Sequence, residues 1–139
     1  TAVDEYRRQL WSLLANANVR DPRIFVQLLD ALAEHPEQGA MYLAEYGDPA
    51  ALPELSRALD AYQISLTDDG DHALFELREA IQELGGRLTA AQQIKYEQAL
   101  LACRIRVSAD LEVQRSRAVK LDAPCPCGSG RRYRHCCLQ

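Results

Sequence analysis

Apolar residues recur every three or four positions along most of the chain, and this spacing predicts helices and no strand. In the segment VDEYRRQLWSLLANA an apolar stripe lies on one predicted face, formed by Val3, Tyr6, Leu10, Leu13, Leu14 and Ala17. The next helix is expected to begin with Asp21 as its N-cap and Pro22 at its first position, and to end at Pro36. Its predicted inner face consists of Phe25, Leu28, Leu29 and Leu32.

The same kinds of helix start and stop signals recur towards the C-terminus. A short helix through Met41 is predicted to end at Gly47, and Asp48 with Pro49 opens the next one. Thr89 and Gln92 have the spacing of a capping box. The helix that they open is expected to run to about Val119. The predicted apolar faces of these later helices are Leu52, Leu55, Leu59 and Tyr62, then Leu74, Leu77, Ile81 and Leu84, and finally Ile94, Leu101 and Ile105.

Short loops between successive helices favour an all-α fold of stacked helical hairpins. Residues 47–86, GDPAALPELSRALDA followed by HALFELREAIQELGG, resemble a HEAT-type unit of the PBS-lyase-like kind. In that family a Gly-Asp-Pro turn opens one helix, and the second helix ends in Leu-Gly. The resemblance implies HEAT-like repeats, and a compact irregular bundle is the alternative.

Composition adds two limits. A chain of 139 residues with 47% hydrophobic residues suits one domain with a small appendage, and it can bury a core without metals or disulfides. No apolar run is long enough for a transmembrane helix, and no signal peptide is visible, so a cytoplasmic protein is expected.

Charge is unevenly distributed along the chain. Residues 1–103 hold 8 Lys and Arg against 17 Asp and Glu, whereas residues 104–139 hold 8 against 3. An acidic body with a basic C-terminal region predicts an electropositive contact surface, suited to an acidic protein, RNA or anionic lipid headgroups. A solvated surface of mixed charge is the alternative interpretation.

The body offers little catalytic chemistry. The turn TDDGDHALFE puts Glu76 at the last position of a calcium loop, but Ser65 and Thr67 are poor ligands there, so a polar turn with Asp71 capping the next helix is favoured. Cys103 is expected to be a small buried hydrophobe in a helix. No nucleophile elbow, P-loop, dinucleotide fingerprint or zinc-protease motif is present. We therefore expect no enzyme activity.

Four of the five cysteines lie in CPCGSGRRYRHCC, residues 125–137. Two glycines allow a tight turn between the pairs, and Ser129 is a predicted cap for a short helix that returns the second pair to the first. Zinc prefers four cysteine or histidine ligands arranged as a tetrahedron, and iron fits the same four thiolates. The alternatives are two disulfides, a redox thiol pair, which would more often show Cys-x-x-Cys, and a three-cysteine site completed by His135. The predicted metal ligands are Cys125, Cys127, Cys136 and Cys137.

This segment resembles the SEC-C motif, the zinc-binding tail of the SecA preprotein translocase ATPase and of many unrelated bacterial proteins. The family pattern is Cys-x-Cys, a Gly-Ser-Gly turn, basic residues around a tyrosine, and Cys followed by His or Cys. The resemblance implies metal ligation. It does not carry over ATPase activity, because the chain has no nucleotide motif. In SecA the tail docks the export chaperone SecB, the ribosome and anionic lipid. The contact residues implied here are Arg131, Arg132, Tyr133 and Arg134.

These observations predict a helical domain over residues 1–106, a helical extension over 107–122 and a SEC-C zinc motif over 123–139. The expected function is a non-enzymatic bacterial interaction module that docks a chaperone-, translocase- or ribosome-associated protein. A metal-handling protein for zinc or iron is one alternative. The C-terminal part of a larger enzyme is the other.

Overall fold

The computed structural model of the chain describes residues 2–64, 71–125 and 127–136. The fold is mostly helical, as predicted, and within the described residues the only strand-like pairing is an isolated bridge between Pro124 and Arg132. The α-helices are α1 (Ala2–Ala15), α2 (Pro22–Glu34), α3 (Pro36–Tyr46), α4 (Leu52–Ala61), α5 (His72–Glu83) and α6 (Ala90–Asp122), with single 3₁₀ turns at Pro49–Ala51 and Tyr133–His135.

Several helix ends lie where the sequence puts them. The Asp21 carboxylate accepts a hydrogen bond from the Arg23 backbone N–H at 2.8 Å and so caps α2. Gly47 ends α3 in the left-handed region at φ 70°, which favours glycine. The Asp48 carboxylate accepts from the Ala50 N–H at 2.9 Å. Asp71 precedes α5, but its side chain makes no cap bond and instead accepts from the Tyr62 hydroxyl at 3.1 Å.

The chain divides into two compact units, residues 1–99 and residues 100–139. In the first unit, α3 packs against α2 and α5, while α4 packs against α5 and α1 against α2 and α3. The core is almost entirely leucine and alanine, which fits closely packed helices. Its largest fully buried hydrophobic side chains are Trp11, Leu28, Leu43, Leu55, Leu59, Leu74 and Leu77. The three-part division predicted from the sequence stays a prediction.

The predicted inner face of α1 is wrong. Trp11 and Ala15 are the buried residues of this helix, whereas Val3, Tyr6, Leu10 and Leu13 are exposed. The Trp11 ring packs edge-on against the His35 ring between α2 and α3, with ring centroids 6.1 Å apart. One large aromatic ring therefore outweighs several smaller apolar side chains in setting how the helix is rotated.

The predicted inner face of α6 is also wrong, because Ile94, Leu101 and Ile105 are exposed. Polar side chains anchor the start of this helix instead. Thr89 and Gln92 form the predicted capping box, with bonds of 3.0 and 3.2 Å. The buried Gln92 amide also donates to α4, where the Ser56 hydroxyl and the Asp60 carboxylate accept it. Because buried polar groups must be hydrogen-bonded, this network holds the start of α6 against α4.

Candidate metal centre

The first pair of predicted ligands lies in a hairpin-like turn that begins directly after α6. The Cys125 backbone N–H donates to the Arg131 carbonyl at 2.8 Å, and the Tyr133 N–H donates to the Ala123 carbonyl at 2.9 Å. These two bonds hold both ends of the turn together. Gly128 and Gly130 lie within it at φ 78° and φ 73°, a conformation that other residues rarely adopt. The glycines thus explain how so short a segment reverses direction.

The second ligand position follows the 3₁₀ turn Tyr133–His135. The Cys136 N–H donates to the Tyr133 carbonyl at 3.2 Å, and the His135 N–H donates to the Arg132 carbonyl at 2.9 Å. This single turn returns Cys136 to the hairpin. It is shorter than the helix predicted from the sequence, and Ser129 does not cap it.

Three of the predicted ligand sulfurs converge. The Sγ atoms of Cys125, Cys127 and Cys136 all lie within 4.8 Å of one another, and those of Cys127 and Cys136 are 3.4 Å apart. A tetrahedral zinc ion with Zn–S bonds of ~2.3 Å would hold its sulfurs about 3.8 Å apart. The spacing in the turn is therefore close to that of a thiolate metal site. Among the residues that the structure describes, this is the only such group of Cys, His, Asp and Glu.

The Ser129 hydroxyl lies against the sulfur cluster. Its Oγ is 3.1 Å from the Cys136 Sγ and accepts a hydrogen bond from the Arg131 N–H at 3.3 Å. Hydrogen bonds from the Ser129 side chain and backbone, together with bonds to Cys136 and Cys125, lower the pKa of Cys127 to about 6. Since the thiolate is the form that ligates metal, this environment prepares Cys127 for binding. Sequence reasoning missed this contact and had treated Ser129 as a helix cap. The position of Ser129 inside a Gly-Ser-Gly turn was the sequence signal that could have indicated this contact.

The three sulfurs differ in accessibility. Cys125 is buried, Cys136 is half-buried and Cys127 is exposed. Cys137, the fourth predicted ligand, lies outside the described residues. His135, the alternative fourth ligand, is exposed and does not belong to the converging group. The donor set in the described residues is thus three thiols, which suits zinc or iron and not calcium or magnesium.

The predicted contact residues lie between the two ligand pairs. Arg131, Arg132 and Arg134 are exposed, and Tyr133 is half-buried. Arg131 and Tyr133 take part in the backbone hydrogen bonds that close the turn. The turn that brings the sulfurs together therefore also fixes the backbone of these contact residues.

The other residues that the sequence singled out do not belong to this sulfur cluster. Ser65 and Thr67 of the calcium loop considered above lie outside the described residues. Burial, followed by repulsion from Glu79, Glu37 and Glu83, raises the pKa of Glu76. Cys103 is half-buried in α6.

No helix in the described part of the chain combines the length and apolar character needed to cross a membrane.

Metal binding is expected to weaken as the pH falls. Each sulfur binds metal as a thiolate, so protons compete with the ion. With its lowered pKa, Cys127 is a thiolate above about pH 6 and becomes protonated below it. Competition with a chromophoric chelator should show zinc affinity falling from about pH 7 to about pH 5. The Ser129→Ala variant should begin to lose zinc at a higher pH. Superimposable curves for the two proteins would contradict this account of the Cys127 pKa.

Comparison with known proteins agrees with this geometry. The family model described as the SEC-C motif matches residues 123–139, the segment that holds the three sulfurs. The match confirms the resemblance stated for this segment, and it covers the tail alone. No curated protein and no solved structure matches the chain. The comparisons add no support for HEAT-like repeats, so that interpretation of residues 47–86 stays a prediction.

Proposed function

We propose that residues 123–139 bind one zinc ion and present a basic loop to a protein partner, while the helical body acts as a scaffold without catalytic activity. The observation that carries the proposal is the position of the loop. In the sequence, Arg131, Arg132 and Arg134 lie between Cys127 and Cys136, whose sulfurs converge. A metal ion joined to both sides of the loop would restrict its conformations, and less entropy would be lost when a partner binds.

Zinc is the proposed metal because three cysteine sulfurs at this spacing fit tetrahedral thiolate coordination. Cys137 is the proposed fourth ligand and would complete the tetrahedron. We place this activity in the cytoplasm, where thiols stay reduced. When bound, the ion supplies structural cross-linking and no reaction step. A metal titration followed by elemental analysis separates zinc from iron.

The proposed partner is an acidic protein surface. Arginine binds carboxylates in bidentate fashion, and residues 104–139 carry 8 basic against 3 acidic residues. The SEC-C resemblance supports docking to chaperone-, translocase- or ribosome-associated proteins. RNA and anionic lipid also bind positively charged side chains, so the experiment has to distinguish an acidic protein, RNA and lipid.

A capture experiment from bacterial lysate tests the proposal. The wild-type chain should retain a defined protein that is lost when Arg131, Arg132 and Arg134 are all changed to alanine. A matched control replaces Arg8, Arg87 and Arg104, which are exposed and lie outside the loop, and it should still retain the protein. Both variants should bind zinc like the wild type.

Additional treatments of the lysate identify the class of partner. Retention should survive ribonuclease and detergent, and it should fall when a chelator removes the metal. Retention that disappears with ribonuclease would point to RNA, which would also show steep weakening with added salt. Equal losses in the loop variant and the control variant would overturn docking through this loop.

A metal-handling role is the second candidate, and the exposure of Cys127 favours it. A solvent-accessible ligand sulfur gives an acceptor protein or chelator a point of attack. Rapid exchange of bound zinc with isotopically labelled zinc would support delivery. Slow exchange would support the docking role.

A further inference from the structure

The sulfur atoms of Cys127 and Cys136 lie close together, although the two residues are nine positions apart in the sequence. Their separation is 3.4 Å, and a disulfide bond measures about 2.05 Å. The pair therefore needs an approach of about 1.4 Å to bond. The intervening loop contains Gly128 and Gly130, and a Cβ built at either glycine meets no atom within 4 Å. Neither glycine position is therefore tightly packed against neighbouring atoms.

Accessibility gives the cysteines of the cluster different chemical roles. Cys127 is exposed, whereas Cys125 is 4% exposed and Cys136 is half-buried. A dissolved oxidant therefore reaches Cys127 first. The sulfenic acid that it forms would lie beside Cys136, which is placed to react with it. Cys103 does not belong to the converging group, so it lacks such a neighbour among the described cysteines.

We propose that Cys127 and Cys136 form a reversible disulfide on exposure to a peroxide, which makes this turn an oxidation site as well as a metal site. The consequence for metal rests on the function proposed above. The disulfide consumes two of the ligand sulfurs, so an ion held by them would be released. The basic loop would then be closed by a covalent bond in place of the ion.

The chemistry balances with hydrogen peroxide as the oxidant. In the first step the Cys127 thiolate attacks one peroxide oxygen, the O–O bond breaks and hydroxide leaves, which gives Cys127 sulfenic acid. In the second step the Cys136 thiolate attacks the Cys127 sulfur, the S–O bond breaks and a second hydroxide leaves. Two thiolates are oxidised to one disulfide, and one peroxide is reduced to two hydroxide ions. A dithiol such as dithiothreitol reverses the change by exchange.

The test uses the full chain in two forms, metal-free and zinc-loaded, each treated with hydrogen peroxide. Peptide mapping by mass spectrometry should find one disulfide, between Cys127 and Cys136, in the metal-free form. The zinc-loaded form should release one equivalent of zinc, measured with a chromophoric chelator, and dithiothreitol should restore binding. In the Cys136→Ser variant, dimedone should trap a sulfenic acid at Cys127. The Cys103→Ser variant should behave like the wild type.

The outcomes separate this inference from the metal proposal. A disulfide in the metal-free chain supports the oxidation site even if zinc never binds stoichiometrically. Zinc binding without that disulfide leaves the metal site intact and overturns the oxidation site. A disulfide that maps to another pair, including any pair with Cys137, overturns the assignment to Cys127 and Cys136. Oxidation of Cys103 ahead of Cys127 would overturn it as well.

Discussion

Alanine in place of Gly39 is expected to destabilise the helical unit by about 3 kcal/mol, because α2 and α3 meet at this glycine. A Cβ at position 39 would overlap the backbone Cα and N atoms of Leu32, and it would lie 2.7 Å from the carbonyl carbon of Ala31. Backbone atoms cannot rotate aside as a side chain can. The two helices would have to separate and lose contacts around Leu32 and Ala40, which are both buried.

The sign of this effect is informative, since helix propensity predicts the opposite. Gly39 lies inside α3, where alanine is favoured over glycine by about 1 kcal/mol. Urea unfolding monitored by circular dichroism gives the net change. Gly85→Ala is the matched control: it has φ 81° but no atom within 4 Å of the new Cβ, so it should cost only about 1 to 2 kcal/mol. A Gly39→Ala protein as stable as the wild type would show that α2 and α3 do not approach this closely.

Local signals in the sequence predicted where the helices begin and end. Asp21, Asp48 and the pair Thr89 and Gln92 act through hydrogen bonds to residues two or three positions away, so a single segment contains all the information. The Gly39 contact was missed because it joins two helices. In the sequence this glycine is only a weak helix former, and its use depends on Leu32 across the interface.

The apolar stripes of α1 and α6 show a second limit of sequence reasoning. Hydrophobic spacing predicted a helix correctly in both cases, but it chose the wrong face. In α1 the Trp11 ring is buried in place of the predicted stripe, and the start of α6 is held by the hydrogen bonds from Gln92 to Ser56 and Asp60. Both interactions depend on partners from other segments of the chain. The periodic apolar pattern of one helix therefore cannot show which of its faces is buried.

The candidate site was easier to predict than the packing. Cysteine spacing predicted one site for Cys125, Cys127, Cys136 and Cys137, and the structure brings the sulfurs of the first three together. Thiol ligands have few alternative uses in such a short segment, so their pattern is specific. Ser129 was harder to assign, because a serine can cap a helix, stabilise a turn or bond a sulfur, and the last of these depends on how the chain folds back on itself.

Serine in place of Cys127 or Cys136 is expected to abolish stoichiometric metal binding while the helix content stays unchanged. Each substitution removes one of the three converging sulfurs and leaves a hydroxyl that is a poor ligand for zinc. Bound zinc, measured by elemental analysis after gel filtration, should fall from one ion per chain to below about 0.1. Cobalt-loaded samples should lose their thiolate charge-transfer absorption.

The helices should survive this loss because their core is independent of the site. The hydrophobic core of residues 1–99 is built around Leu43, Leu55 and Leu77, and that unit contains no cysteine. The Cys103→Ser variant removes a thiol outside the cluster and should keep both metal and helices. Far-ultraviolet circular dichroism with thermal unfolding measures the second property. If the Cys127→Ser chain unfolds together with metal loss, the metal site supports the helical body and is not an appendage to it.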